Sequence, residues 1–186
     1  MKYLLFWGIL LAAIGCAEAQ VPMDSISSAL TFPATYVGTW RGDLEVFTPE
    51  KGRVQTLPME LEVRPLTDSS YTYTIIYGEN REAGKRAYEL VVRDAQLGLY
   101  YIDERNSIGM EAYLVGDVFV QRFEVMNNML DTQTRLRPDG TLLWEIASGP
   151  LQPVSRSGGV EWKGEDIPPV SAYPIRNYQR AVLRRE

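Results

Sequence analysis

The chain has 186 residues, a formal net charge of -5, one cysteine and no histidine. The lack of His removes Ser-His-Asp and Cys-His nucleophile activation, His-ligated zinc and His-ligated haem together. The acidic balance argues against nucleic acid as a partner, and a lone Cys permits no internal disulfide, so apolar burial must hold the fold.

The first residues, MKYLLFWGILLAAIGCAEAQ, combine Lys2 with an apolar run from Leu4 to Gly15 and then small residues. The run is short for a membrane span, so residues 1–19 are expected to be a secretory signal, with Ala17-Glu18-Ala19 before Gln20 as an A-x-A cleavage site. A second processing route stays open. Ala13-Ile14-Gly15-Cys16 resembles the bacterial lipobox, in which Cys16 would be acylated and anchor the protein to a membrane. The expected location is secreted or periplasmic, with a membrane-anchored lipoprotein as the alternative.

Residues 23–34, MDSISSALTFPA, suit one short helical turn stopped by Pro33, placed to plug one end of a strand assembly beginning at Val37. From Val37 to Gly149 the period is two. Trp40, Leu44 and Val46 alternate with Arg41, Asp43 and Glu45, and Met59, Leu61 and Val63 alternate with Glu60, Glu62 and Arg64. SYTYTIIYG, RAYELVVRD, LGLYYIDE, IGMEAYLVG, DVFVQRFEVM, MLDTQTRL and TLLWEIAS continue the pattern, for about nine strands in all. Gly116-Asp117, Asn127-Asn128 and Pro138-Asp139-Gly140 mark tight connections that leave no room for crossover helices. The expected fold is therefore all-β, an antiparallel up-and-down barrel of about 8–10 strands, since closure is what removes the two open edges of a long meander.

After Gly149 the period is lost in a proline-rich stretch, expected to be a loop laid over the surface. In the final IRNYQRAVLRRE, Ile175, Tyr178 and Val182 stand three and four apart, which suits a short basic amphipathic helix. The expected organisation is a signal over 1–19, a barrel domain over 20–149 and a C-terminal extension over 150–186. Membrane association through that basic end remains open beside a solvated role.

Gly38-Thr39-Trp40, at the head of the first strand and after a short N-terminal segment, resembles the signature of the lipocalins and the wider calycin barrels, here of a bacterial secreted kind. The resemblance implies that Trp40 lies across the closed end of the barrel with an Arg from a late strand packed on its face, for which Arg135 or Arg137 is the candidate. Haem-binding barrels of this shape ligate iron through His, which this chain lacks, and no other cofactor pattern is present, so none is expected.

If Trp40 points inward, the same alternation turns Tyr71, Tyr73, Tyr77, Tyr88, Phe119, Phe123 and Trp144 inward, with Gln121, Thr132 and Thr134 as polar groups among them. An apolar wall with a few polar groups suits both a ligand cavity and a filled core. The first expectation is a binding protein, not an enzyme, for a small hydrophobic or amphipathic molecule, with these eleven residues as candidate contacts. A cell-envelope interaction module is the alternative. A third reading is an acid–base enzyme drawing on Asp103, Glu104 and Glu111 beside Tyr100, Tyr101 and Tyr113.

Overall fold

Each alternating run in the central part of the chain forms a strand in the computed structural model, which describes residues 31–186. The signal segment, Cys16 and residues 23–30 lie outside the described residues. The strands are β1 (Gly38–Thr48), β2 (Gly52–Thr67), β3 (Ser70–Tyr77), β4 (Lys85–Asp94), β5 (Leu99–Asp103), β6 (Gly109–Val115), β7 (Val118–Val125), β8 (Asn128–Leu136) and β9 (Leu142–Pro150). Each pairs antiparallel with the next in sequence.

Nine up-and-down strands cannot close in antiparallel fashion, because the first and ninth run in the same direction. Further along the chain, β10 (Ser155–Ser157), β11 (Val160–Trp162), β12 (Glu165–Ile167) and β13 (Val170–Ala172) precede β14 (Asn177–Arg185). β14 inserts between β9 and β1 and closes a ten-stranded antiparallel barrel. The short helix expected over this segment is therefore a strand, and the barrel extends well beyond residue 149. Period two also runs through it, with Ala181 and Leu183 buried between exposed Arg180, Val182 and Arg184. Strand wins over helix because the meander leaves two rows of unpaired backbone groups, and β14 satisfies both.

The expected surface loop is also corrected. β10 pairs with β13 and β11 with β12, so residues 155–172 form one folded-back ribbon, kinked where Gly158-Gly159 faces Pro168-Pro169. All four of its short strands are solvent-exposed. At the other end of the chain Pro33 is the N-cap of a short 3-10 helix over Ala34–Tyr36, while the turn expected before it lies mostly outside the described residues. A residue with fixed φ and no N–H fits the start of a helix better than its interior.

The inward rows build the core that alternation predicted. Trp40, Leu44, Met59, Leu61, Val63, Tyr73, Ile75, Leu90, Phe119, Leu142 and Trp144 are buried together, and Tyr100, Ile102, Ala112, Ala181 and Leu183 join them. The outer wall carries charge instead: Glu45 meets Arg53 and Arg180, and Arg122 meets Asp131. One outward carboxylate, Glu60, is only 4% exposed. A single helical turn, α1 (Arg81–Gly84), capped by Asn80, brings Arg81 onto it from one side while Arg41 approaches from the other.

Candidate functional site

The two ends of the barrel differ, and the difference is built by Trp40. Gly38 takes φ +147, a conformation closed to side-chain-bearing residues, with its backbone against the stem of Arg185. Trp40 follows two residues later, 1% exposed, and its Nε1 donates to the Tyr36 carbonyl oxygen at 2.8 Å. The Arg185 guanidinium lies over the indole, 4.4 Å from the ring centroid. The implied stacking Arg is thus Arg185, on β14, and neither Arg135 nor Arg137. Arg135 is exposed beside buried Thr134, and Arg137 lies in the turn after β8.

Below the indole, the N-terminal segment enters the barrel as an aromatic stopper. Phe32 packs on Tyr36, Tyr100 and Phe119 with ring centroids 4.7 to 4.8 Å apart. The Tyr36 hydroxyl donates to the Thr134 carbonyl oxygen at 3.0 Å. That half of the barrel is filled by its own side chains.

The other half keeps a small cavity among the described residues. A cavity of about 90 Å³ lies between Trp144 and the open rim, on the side where β1 ends and β14 begins. At roughly 30 Å³ per water it has room for about three waters, or the end group of a longer molecule. Tyr73, Tyr77, Tyr88, Phe123 and Trp144 supply five aromatic walls, with Tyr77 and Trp144 edge to face at 6.2 Å between centroids. Ile75, Ile102, Met110 and Ile146 fill the spaces between them.

The polar groups of the cavity are Gln121, Thr132, Thr134, the tyrosine hydroxyls and Glu104. Register explains part of this grouping: Gln121 faces Thr132 across β7 and β8, and Thr132 faces Ile146 across β8 and β9. Thr132 Oγ1 donates to Gln121 Oε1 at 3.4 Å. Gln121 Nε2 has no partner, the one such buried side-chain nitrogen or oxygen among the described residues. A buried amide donor left unpaired costs about 1–3 kcal/mol, which a bound acceptor would recover. Burial pushes the Tyr77 hydroxyl well above its ordinary value, with the neighbouring Tyr88 and Tyr73 adding to the effect. Tyr73 is pushed up to about 12 by burial, against a hydrogen bond with Thr134. Tyr88 rises through burial and the nearby Glu104 carboxylate. All three are neutral, donor-bearing phenols at neutral pH.

Of the eleven residues singled out from sequence, Tyr73, Tyr77, Tyr88, Gln121, Phe123, Thr132, Thr134 and Trp144 line the cavity. Trp40, Tyr71 and Phe119 belong to the packed half. Ile102 and Met110 escaped notice because their strands are short, yet Tyr100, Ile102 and Glu104 show the same alternation as the longer ones. Of the carboxylates considered for acid–base work, Glu104 reaches the cavity, whereas Asp103 accepts from the Arg105 backbone N–H and Glu111 lies 4.0 Å from Arg93 on the outer face. Arg122 faces outward and pairs with Asp131.

No protein-family model matches the chain, and no curated protein matches its sequence.

Proposed function

We propose that this chain is a calycin-type binding protein, not an enzyme, which is exported through its 1–19 segment and holds a small amphipathic molecule in the open half of its barrel. The observation that carries the reading is the unpaired Gln121 Nε2 inside an aromatic-walled cavity above a sealed floor. Affinity comes from burying apolar ligand surface at about 25 cal/mol per Å², and orientation from one or two hydrogen bonds on the Gln121–Thr132 side. The size of the cavity selects a small guest, or one end of a longer guest whose remainder stays at the rim. Native mass spectrometry of gently purified protein should show a small-molecule adduct, and amphipathic dyes should quench Trp144 fluorescence. A protein that is empty and also fails to bind any dye would reject the reading.

A second reading, an interaction module of the cell envelope, is favoured by the ribbon over residues 155–172. It exposes Trp162, Val160 and Val170 by 63%, 59% and 56%, and an isolated two-stranded ribbon with both edges free is marginal by itself. Loss of association on removing the ribbon, with ligand binding intact, would support this reading.

A further inference from the structure

The proposed binding function leaves the chemistry of the guest open, and the charges around the cavity narrow it. Among the described residues Glu104 is the one formally charged residue in the cavity wall. Among the described residues no Lys or Arg pairs with its carboxylate, whose side-chain partner is Asn106 Nδ2 at 3.2 Å. A candidate counter-charge is Arg86, opposite Ile75 on the inward row of β4 and exposed. Its Nη1 is instead tied to the Ala83 and Lys85 carbonyl oxygens, at 3.1 and 2.9 Å. An anion entering the cavity would lose water and face the Glu104 carboxylate at the rim, with no cation in the lining and only the exposed Arg86, whose charge reaches Tyr77 and Tyr88, to offset it.

A cation meets the opposite conditions. Aromatic rings present negative faces, and several of them around one site attract an organic ammonium, most strongly where water is excluded. Five rings border this cavity, with the Glu104 carboxylate beside them. A methylated ammonium has few or no N–H donors to satisfy, so it can lie against ring faces without needing acceptors of its own. Its head group also matches a space of about 90 Å³. The unpaired Gln121 Nε2 asks separately for an oxygen acceptor, and on β7 it lies two residues deeper than Phe123. We infer that the cavity takes a small methylated ammonium compound bearing a hydroxyl or carbonyl oxygen, with the cation among the aromatic rings beside Glu104 and the oxygen on Gln121. This rests on the binding reading above.

The test uses the exported chain and three probes of one shape, namely choline, its uncharged carbon isostere 3,3-dimethylbutan-1-ol, and the anion 3,3-dimethylbutyrate, each titrated calorimetrically. Choline should bind most tightly. Glu104→Gln should weaken choline about tenfold, the effect of one ion contact at a partly solvated rim, and leave the alcohol unchanged. Gln121→Leu should weaken choline and the alcohol alike. The inference is overturned if the alcohol or the anion binds as well as choline, or if Glu104→Gln has no effect on choline. If none of the three binds, the ammonium assignment fails, whereas the binding function itself is judged by the co-purified adduct and by dye quenching.

Discussion

Arg185 and Trp40 are Cα partners across the seam that closes the barrel, and the guanidinium of one covers the indole of the other at 4.4 Å. The same guanidinium donates to the Thr35 carbonyl oxygen, so one side chain ties the last barrel strand to the first and to the N-terminal stopper. Arg185→Ala should destabilise the fold by about 0.5–1 kcal/mol through loss of a cation–π contact whose cation is solvent-exposed. Trp40→Ala should cost about 3–5 kcal/mol, because it opens a cavity beside the stopper and frees the Tyr36 carbonyl. In urea titrations the double variant should cost less than the two singles added together; strict additivity would show that the two residues do not act as a unit.

Most of this architecture is legible as period two. The nine runs between Val37 and Gly149 alternate clearly enough that Leu44, Leu61, Leu90 and Trp144 can be placed inside from the sequence alone. The tenth strand was not legible, because Ile175, Tyr178 and Val182 also fit a helical spacing. What separates the two is non-local, since only a meander with an odd count of strands needs another. Arg185 was hidden for the same reason. The hollow was legible only as a set of inward residues. Whether inward side chains meet or leave space depends on ring orientation, and Phe32 and Tyr36 fill one half of the barrel while, among the described residues, nothing comparable fills the other.

Glu60 predicts the behaviour in acid. Arg81 donates to both of its carboxylate oxygens, at 2.7 and 2.8 Å, and Arg41 adds a third contact at 2.6 Å. The Arg81 bonds first, then those of Arg41, hold the carboxyl down at about 2 against the opposing effect of burial. The folded value lies below the ordinary 4.5, so this stabilisation is fully present above about pH 4.5 and lost as pH falls toward 2. Both arginines are half exposed, which discounts the gain, and Glu60→Gln should cost on the order of 2 kcal/mol at pH 7. Thermal melts between pH 5 and about 2 should show the parent and variant converging; a constant gap would disprove the linkage.

The buried phenols set the alkaline limit. Burial raises Tyr36 and Tyr77 well above the ordinary value of 10.0, and Tyr73 to about 12. A raised folded value means stability that is intact below pH 10 and lost as pH climbs through the folded values. Tyrosinate absorbance from these three residues should therefore appear together with unfolding. Tyr77→Phe removes one such group and should move the alkaline midpoint upward, while changing stability at pH 7 by no more than about 0.5 kcal/mol.

Gln121 separates binding from folding. Its unpaired Nε2 is a cost to the empty barrel, so Gln121→Leu should leave stability unchanged or raise it by about 1 kcal/mol. The same change fills polar space and removes the donor, so dye quenching of Trp144 should weaken. A variant that binds dyes as the parent does would remove Gln121 from the site.

The C-terminal quarter of the chain contains two parts with opposite roles, and two deletions distinguish them. Removing residues 150–186 takes away β14, whose Ala181 and Leu183 are 1% and 0% exposed, and reopens the edges of β1 and β9. That truncated chain should aggregate or lose its cooperative transition, since nine strands have no antiparallel closure and no disulfide holds them. Replacing residues 154–173 with a short Gly-containing turn removes only the exposed ribbon and keeps β14 in register with Ile146 and Ala147. This second variant should melt cooperatively within about 1 kcal/mol of the parent. Light scattering and circular dichroism melts check both outcomes; a well-folded 1–149 fragment would mean that the tenth strand is not required for closure.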